Sequence, residues 1–211
     1  MKLILFVEGR GERLAIKEFL KRWLDKRTLQ PVGLFPVLFD GWPEMVKDIP
    51  IKVPMYLQRQ DVLGVVSLLD LYGPTFYPDT VRSSRERWDF GRKHVQDMHP
   101  DPRFRHFFAC HEFEAWLFSN PSLFPAPVRQ IWPSKLKAPE EINFTQTPKT
   151  RLDALYEKAL GKGYKPTRDG KALFGKLDPE AAAEKCPRLK EFLHGLLEMA
   201  KPHNLVKPEY C

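Results

Sequence analysis

Five acidic residues occupy positions from which their carboxylates could bind a metal ion. They are Glu8, Glu12, Asp70, Glu112 and Glu114. Glu8 and Asp70 each end an apolar run, and the Glu112/Glu114 pair follows another. Carboxylate oxygens without paired His or Cys residues suit Mg²⁺ or Mn²⁺ rather than zinc. Because such ions often position a phosphate and its attacking water, the pattern predicts chemistry at a phosphate group.

A bound cation would also explain how these carboxylates can lie together. Like charges crowded into one place raise each other's pKa, and a cation offsets that repulsion. Under this hypothesis Glu8 is a general base or a ligand, while Glu12 and Asp70 are ligands. Glu112 and Glu114 do not share a helical face, so we expect one to point into the site and the other to support it.

The apolar runs predict the strands that position the acids. Residues 3–7 and 62–70 are typical of strands buried on both faces of a parallel sheet. Residues 34–39 and 104–110 predict two more strands. Since parallel strands end at one edge, Glu8 and Asp70 should converge there, in the crevice where open α/β sheets bind ligands. We therefore predict an α/β fold with a mostly parallel sheet flanked by helices.

The remaining segments predict helices and set the domain organisation. Helical spacing predicts helices over residues 12–27, 44–49, 150–160, 170–177, 179–185 and 187–200, and one that ends near 98. Prolines 50 and 54 leave residues 50–61 irregular or weakly helical. We expect an α/β core over 1–120, a helical C-terminal extension over 121–200 packed on it, and a loose tail over 201–211.

Each acid also has a structural explanation. Glu8 could cap the N-terminus of the next helix, where the dipole favours a carboxylate, and Asp70 could initiate a turn. His111-Glu112 resembles the start of a zinc-protease HExxH motif, but Ala115 occupies the position of the second histidine, which excludes that motif.

Basic residues form a second candidate group. Between residues 135 and 176, ten Lys or Arg face five Asp or Glu. Lys149 and Arg151 open a predicted helix and could bind a phosphate or stabilise its developing charge. Arg10, next to Glu8 in the first turn, is a further candidate for phosphate or nucleic-acid binding. A solvated helix face is the better explanation for most of these basic residues, whereas for Lys149 and Arg151 both interpretations stay open.

Composition places few limits on the function. The formal net charge of +7 is compatible with a polyanionic partner but does not require one. Three cysteines without CxxC spacing favour a reducing compartment, and no apolar run is long enough for a signal peptide or a membrane span. We expect a cytoplasmic protein. Neither a P-loop nor a GxGxxG motif is present.

Several of these motifs occur together in a known order. They are Glu8-Gly9-x-x-Glu12, Leu69-Asp70-Leu71-Tyr72-Gly73, His111-Glu112-Phe113-Glu114 and Pro148-Lys149-x-Arg151-Leu152. This set resembles the domain-of-unknown-function family DUF4276 over nearly the whole chain. The family's fold is similar to the Toprim domain of topoisomerases, primases and overcoming-lysogenization-defect (OLD) nucleases.

The resemblance implies a Mg²⁺-dependent nuclease that acts on DNA or RNA. It also implies a role in defence and a partner protein that is an ATPase. By that resemblance Glu8 matches the first-strand glutamate, Glu12 the second acid of nuclease-type members and Asp70 the first aspartate. Lys149 corresponds in order to a late lysine of such domains. Tyr72 occupies the position of the second aspartate, so Glu112 or Glu114 would have to replace that ligand.

Two other functions remain open. Tyr72 favours a catalytically inactive subunit that binds nucleic acid or a partner protein. A phosphotransfer or phosphatase-like enzyme on a small substrate is favoured if the basic residues are dispersed over the surface rather than gathered in a groove.

Overall fold

A four-stranded sheet forms the centre of the molecule. The computed structural model describes residues 1–133, 138–141 and 146–210, with the side chains of all of these except residues 10–14. The strands are β1 (Lys2–Glu8), β2 (Gly33–Phe39), β3 (Val62–Asp70) and β4 (Phe104–Ala109). They are all parallel, in the order β2-β1-β3-β4. The predicted α/β fold is therefore confirmed.

Eight α-helices accompany the sheet in the part of the chain that the structure describes. They are α1 (Arg10–Arg27), α2 (Trp42–Leu57), α3 (Ser84–Gln96), α4 (Ala126–Gln130), α5 (Pro148–Leu160), α6 (Lys171–Lys176), α7 (Pro179–Lys185) and α8 (Pro187–Ala200). The four predicted helices of the C-terminal region are confirmed to within two residues. None of the described helices combines the length and the apolar character needed to cross a membrane.

The helices cover the two faces of the sheet in separate layers. On β1, Leu3, Leu5 and Val7 share one hydrophobic cluster with α1, α6 and α8, which we call the first face. Ile4 and Phe6 belong to a second cluster with α2 and α3, the second face. Because neighbouring residues of β1 are buried in different layers, its sequence is continuously apolar, as expected for a parallel strand.

The first face includes side chains from both sides of residue 120: α8 packs directly on the sheet, and α6, α7 and α8 pack on α1. The predicted boundary at residue 120 stays a prediction. The prediction of a loose tail is wrong around Val206, which forms an antiparallel bridge with Thr28 and is buried together with Leu205. Apolar burial and backbone pairing fix this part of the tail.

Of the two alternatives predicted for residues 50–61, the helical one holds for most of that segment, because α2 continues through Pro50 and Pro54 to Leu57. Each proline removes one intrahelical hydrogen bond. The helix nevertheless forms because one stripe of its surface packs on the second face. That stripe has a spacing of four residues and consists of Met45, Ile49, Val53 and Leu57.

Gly64 in β3 provides a test of this packing. A Cβ there would lie 2.6 Å from the Arg103 carbonyl oxygen, which is held by a hydrogen bond from the Val65 N–H at 2.9 Å. We expect Gly64→Ala to lower the free energy of unfolding by about 1–3 kcal/mol, measured by urea denaturation. Gly175→Ala is the control, since nothing lies within 4 Å of its Cβ position. An equal effect of both substitutions would contradict the packing argument.

Candidate acidic site at the carboxyl edge of the sheet

The strand order places a topological switch point between β1 and β3. From β1 the chain passes to β2 on one side, and it then crosses to β3 on the other side. Open α/β sheets bind ligands in the crevice at such a point, outside the carboxyl ends of the strands. Glu8 is the last residue of β1 and Asp70 is the last residue of β3. The predicted placement of both acids at one edge is therefore correct.

Glu8 lies at the N-terminus of α2. The backbone N–H of Trp42, the first residue of α2, donates a hydrogen bond to its carboxylate. Gly41 has a φ of 85°, which favours glycine, and a Cβ there would lie 3.9 Å from Glu8 Oε1. Glu8 Oε2 is buried and has no hydrogen-bond partner in the part of the chain that the structure describes. Glu8 thus accepts from a helix N-terminus, but that helix is α2 and not the adjacent α1.

Asp70 lies on the opposite side of the pleat from Glu8. Side chains two residues apart in a strand point to the same face. Asp70 is therefore on the side of Val66 and Leu68, which pack on the first face, whereas Glu8 is on the side of Phe6, which packs on the second. Asp70 Oδ1 accepts a hydrogen bond from the Phe113 N–H at 3.1 Å. The two acids therefore meet at the edge, without sharing a face of the sheet.

The charges around Asp70 strongly affect its protonation. Burial of the carboxyl group is the largest cause that raises its pKa well above the usual range, followed by the charges of Glu114, Glu112 and Glu8. Burial likewise raises the pKa of Glu8, partly opposed by the Trp42 N–H. These shifts indicate that Glu8, Glu112 and Glu114 all lie within electrostatic range of Asp70, although the four groups come from three separate strand ends.

A sharp turn after β4 delivers Glu112 and Glu114. His111 is buried and has a φ of 68°, an uncommon value for a residue other than glycine. Glu112 Oε2 then accepts a hydrogen bond from the Lys149 N–H at 2.8 Å, at the N-terminus of α5. Glu114 lies in the 3₁₀ helix Phe113–Ser119 and is only 3% exposed. Glu112 therefore holds α5 at the site, while Glu114 is buried near Asp70.

Glu114 has a strongly altered acidity. Burial and then the charge of Glu112 raise its pKa to about 8, while its own backbone N–H and the charge of Lys149 oppose the change. A carboxyl group in this state keeps its proton near neutral pH unless a cation replaces it. Lys149 is thus close enough to the acids to affect them electrostatically.

The other predicted residues have different positions. Arg151 Nε donates to the Gln146 carbonyl at 3.2 Å, so the structure directs it to the preceding loop rather than to the acids. Tyr72 is 42% exposed, and its N–H donates to the His111 carbonyl at 3.3 Å. Arg10 and Glu12 lie in the first turn of α1, and their side chains are outside the described residues.

The donor types at this edge fit a hard cation. Carboxylate oxygens are the ligands that Mg²⁺ and Mn²⁺ prefer, and the buried Glu8 Oε2 has an open hydrogen-bonding position. Among the described side chains, however, no three Asp, Glu, His or Cys residues are grouped closely enough to hold a metal ion. The chemistry of the acids therefore fits the ion, while their described positions do not form a complete coordination shell.

Two groups at this edge, the Trp42 N–H and Tyr164, are not among the residues predicted from the sequence. The Trp42 N–H binds Glu8 across a contact between residues that are distant in the chain. The only local sequence signal for a helix start at this place is the turn Asp40-Gly41-Trp42-Pro43. Tyr164 is 3% exposed, its hydroxyl has no hydrogen-bond partner among the described residues, and Glu114 and Glu112 both contribute to raising its pKa. No sequence signal identifies it.

The fold and the site define a class: an α/β protein with buried carboxylates at the switch point of a parallel sheet and a helical C-terminal region beside them. The family model described as "Domain of unknown function (DUF4276)" matches residues 7–197, and the chain belongs to this family. No match is found among curated proteins or among solved structures.

The protonation of Glu114 predicts an unusual dependence of stability on pH. Its pKa is about 8 in the folded state against an ordinary 4.5, so between these values the folded state binds more protons than the unfolded state. The free energy of unfolding should then fall as the pH rises from about 4.5 to 8. Glu114→Gln should flatten this profile and raise Tm at pH 8 in EDTA, by roughly 2–4 °C for each kcal/mol gained.

Thermal unfolding from pH 4 to pH 9 measures this effect. The exposed Glu157→Gln on α5 is the control and should leave the wild-type profile unchanged. An unaltered pH profile in Glu114→Gln would mean that the folded state does not hold a proton on this carboxyl group.

Proposed function

We propose that this protein is a Mg²⁺- or Mn²⁺-dependent nuclease that cleaves phosphodiester bonds in DNA or RNA. The observation that carries the proposal is the cluster of Glu8, Asp70, Glu112 and Glu114 at the switch point, where burial and mutual repulsion raise the pKa of Asp70 and Glu114. Buried like charges are costly, and a divalent cation is the ligand that relieves them. The order of the motifs and the resemblance to Toprim nucleases support the same function.

Each residue of the cluster has a role in this proposal. Asp70, Glu114 and Glu8 would hold the ion, to which Glu12 is a further candidate ligand. When bound, the ion would polarise the phosphate and lower the pKa of an attacking water. Burial raises the pKa of Glu8 above its ordinary value, and a more basic carboxylate is better suited to accept a proton from that water.

Lys149 supplies positive charge on the other side of the cluster. The Glu112 carboxylate binds the Lys149 N–H and thereby fixes the first turn of α5 next to the acids. The ammonium group would neutralise charge that develops on the phosphate in the transition state. Arg151 is directed to the loop before α5, so we assign it at most a contact with the nucleic-acid backbone.

The partners and the location follow from less direct arguments. The net charge of +7 suits a polyanionic substrate. Cys110 and Cys186 are both free, in keeping with a reducing cytoplasmic compartment. The ATPase partner and the role in defence against phages or plasmids rest only on the family resemblance.

A catalytically inactive subunit that binds nucleic acid or a partner protein is the second candidate. It is favoured by Tyr72, which is exposed where the resemblance places a second aspartate, and by the lack of a three-residue metal group among the described side chains. Such a protein would bind polynucleotide with strong salt dependence but would not cleave it. A phosphotransfer enzyme on a small substrate would lack that salt dependence.

Cleavage assays separate these candidates. Purified protein is incubated with plasmid, single-stranded DNA and RNA in Mg²⁺, Mn²⁺ or EDTA, beside Glu8→Gln, Asp70→Asn and Lys149→Ala. We expect metal-dependent cleavage that falls at least ~100-fold in the two acid variants and ~10–100-fold in Lys149→Ala. The control is Lys158→Ala, an exposed lysine on the same helix that should retain full activity.

Two results would count against the nuclease. Cleavage that survives in both Glu8→Gln and Asp70→Asn would indicate a contaminant and remove the site assignment. The lack of cleavage under every condition, together with salt-dependent binding of a polynucleotide, would favour the inactive binding subunit.

A further inference from the structure

A continuous group of aromatic rings begins at the carboxyl edge of the sheet and extends along α3. We call it the aromatic array, and its members are Trp42, Phe76, Tyr77, Phe90 and His94. The Phe76 ring is central, since its centroid lies 5.5 Å from that of Trp42 and 4.8 Å from that of His94. Phe90 continues the array, because its ring stacks on His94 at 5.7 Å with an interplanar angle of 12°.

The inner end of the aromatic array adjoins the acidic cluster. The Trp42 backbone N–H binds Glu8, so the residue that carries the first ring also holds a proposed metal ligand. The Trp42 side chain extends to the loop after β3, where a Cβ at Gly73 would lie 3.8 Å from its Cδ1 atom. Asp70, the last residue of β3, is three residues before Gly73. A molecule that covers the Trp42 ring would therefore be adjacent to the acids.

Tyr77 anchors the aromatic array to the fold. Its hydroxyl donates a hydrogen bond to the Leu71 carbonyl at 3.2 Å. A Cβ at Gly91 of α3 would lie 3.0 Å from its Cε1 atom, so the ring packs closely on that helix. The Phe76 ring lies against this anchor, with a centroid distance of 4.7 Å. Rings that are fixed in advance lose little conformational freedom when a ligand binds to them.

The protein covers these rings only in part. Every member of the aromatic array is half-buried except His94, which is exposed. Phe104 and Phe108, in the interior of the second face, are by contrast buried. Because covering an aromatic surface is favourable, a contiguous group of rings that reaches the surface is typical of a binding site.

The charges beside the aromatic array favour a negatively charged ligand. Residues 82–87, which lead into α3, contain three arginines and one acid, Glu86. The Glu86 carboxylate accepts hydrogen bonds from the N–H groups of residues 82 and 83, so it serves the start of the helix. Arg85 pairs with Asp89 at 3.9 Å, and such an exposed pair holds its arginine only weakly.

One arginine is in direct contact with the rings. The Arg87 guanidinium lies over the Tyr77 ring, 5.0 Å from its centroid, which is the geometry of a cation–π interaction. Positive charge and aromatic surface therefore occur together. Proteins that bind single-stranded nucleic acid combine the same two features, since basic groups contact the backbone while aromatic rings stack on the bases.

We propose that the aromatic array binds a single-stranded segment of DNA or RNA beside the bond that is cleaved, with unpaired bases stacked on the Trp42 and Phe76 rings and phosphates near the arginines of residues 82–87. The proposal rests on the nuclease function and adds the strandedness of its substrate. Bases in a duplex stack on one another, whereas an unpaired base presents a face that a ring can cover. The array is thereby assigned to substrate binding and not to bond cleavage.

Fluorescence anisotropy with labelled oligonucleotides tests the proposal on the full chain in EDTA, where metal-dependent cleavage does not occur. The ligands are a single-stranded DNA, the corresponding RNA, the duplex, and an abasic strand of the same length that keeps the phosphates but lacks the bases. We expect the DNA or the RNA single strand to bind at least ~10-fold more tightly than the duplex and the abasic strand, because each base–ring stack contributes ~1–3 kcal/mol. The tighter of the two identifies the favoured polymer.

Trp42→Leu and Phe76→Leu should each weaken binding of that single strand about 10-fold and leave binding of the abasic strand unchanged. Trp42→Leu keeps the backbone N–H that binds Glu8, so it removes the ring alone. Phe35→Leu is the matched control, because Phe35 is 49% exposed but lies in the amino-terminal half of β2, away from the carboxyl edge. Thermal unfolding checks that each variant is folded, and the comparison of strands on the wild-type protein requires no variant.

Two results would overturn the proposal. Equal affinity for the ordinary and the abasic single strand would mean that the phosphates alone account for binding. The lack of binding to any strand, together with self-association that Phe76→Leu abolishes, would assign the rings to a contact between protein molecules.

The failure of this inference can be told apart from the failure of the nuclease function. Cleavage that is lost in Asp70→Asn, while Phe76→Leu and Trp42→Leu bind and cleave like wild type, would overturn the stacking surface and leave the nuclease intact. Weakened binding of the single strand in both ring variants, without cleavage under any condition, would support the stacking surface and remove the nuclease.

Discussion

The arrangement of the carboxyl edge depends on the cost of burying carboxylates close to one another. The structure meets that cost partly with backbone N–H groups, which stabilise the charged form of an acid. Trp42 donates to Glu8, Phe113 to Asp70 and Lys149 to Glu112. Each of these bonds also attaches a different element to the edge of the sheet, namely α2, the 3₁₀ helix after β4, and α5. The same three hydrogen bonds therefore stabilise the carboxylates and hold these three elements at the edge of the sheet.

The helical C-terminal region is part of the site and not only a cover for the sheet. Its core side chains share the first face with β1 and α1. Because that packing fixes α5 and the segment before α6, it brings Lys149 and Tyr164 beside acids that come from the strands. Positive charge and a hydroxyl donor thus come from the second half of the chain, and the carboxylates come from the first half. Neither half alone contains the complete arrangement.

The strands and their terminal acids could be predicted from the sequence because burial on both faces leaves an unbroken apolar run, at whose end a carboxylate is conspicuous. For residues 50–57 the sequence could not decide between an irregular and a helical path, since packing on the second face outweighs the local rule against internal prolines. The bond from Trp42 to Glu8 and the orphan hydroxyl of Tyr164 also lay beyond prediction, because both depend on contacts between residues distant in the chain. Local periodicity carries no information about such contacts.

Tyr72 and Glu114 together bear on whether the edge could bind a cation. Tyr72 follows the end of β3 and is exposed, so the position two residues after Asp70 is turned toward solvent. Glu114 is buried instead, and the bond from the neighbouring Phe113 N–H to Asp70 fixes it near that acid. Glu114, delivered by the next strand end, is therefore the carboxyl group that would have to replace a ligand from the same strand. Without a cation, Glu114 is buried beside Asp70 at the cost of keeping a proton, whereas a bound cation would let both groups carry their charge. This cost is the physical reason to favour a cation-binding edge over a vestigial one.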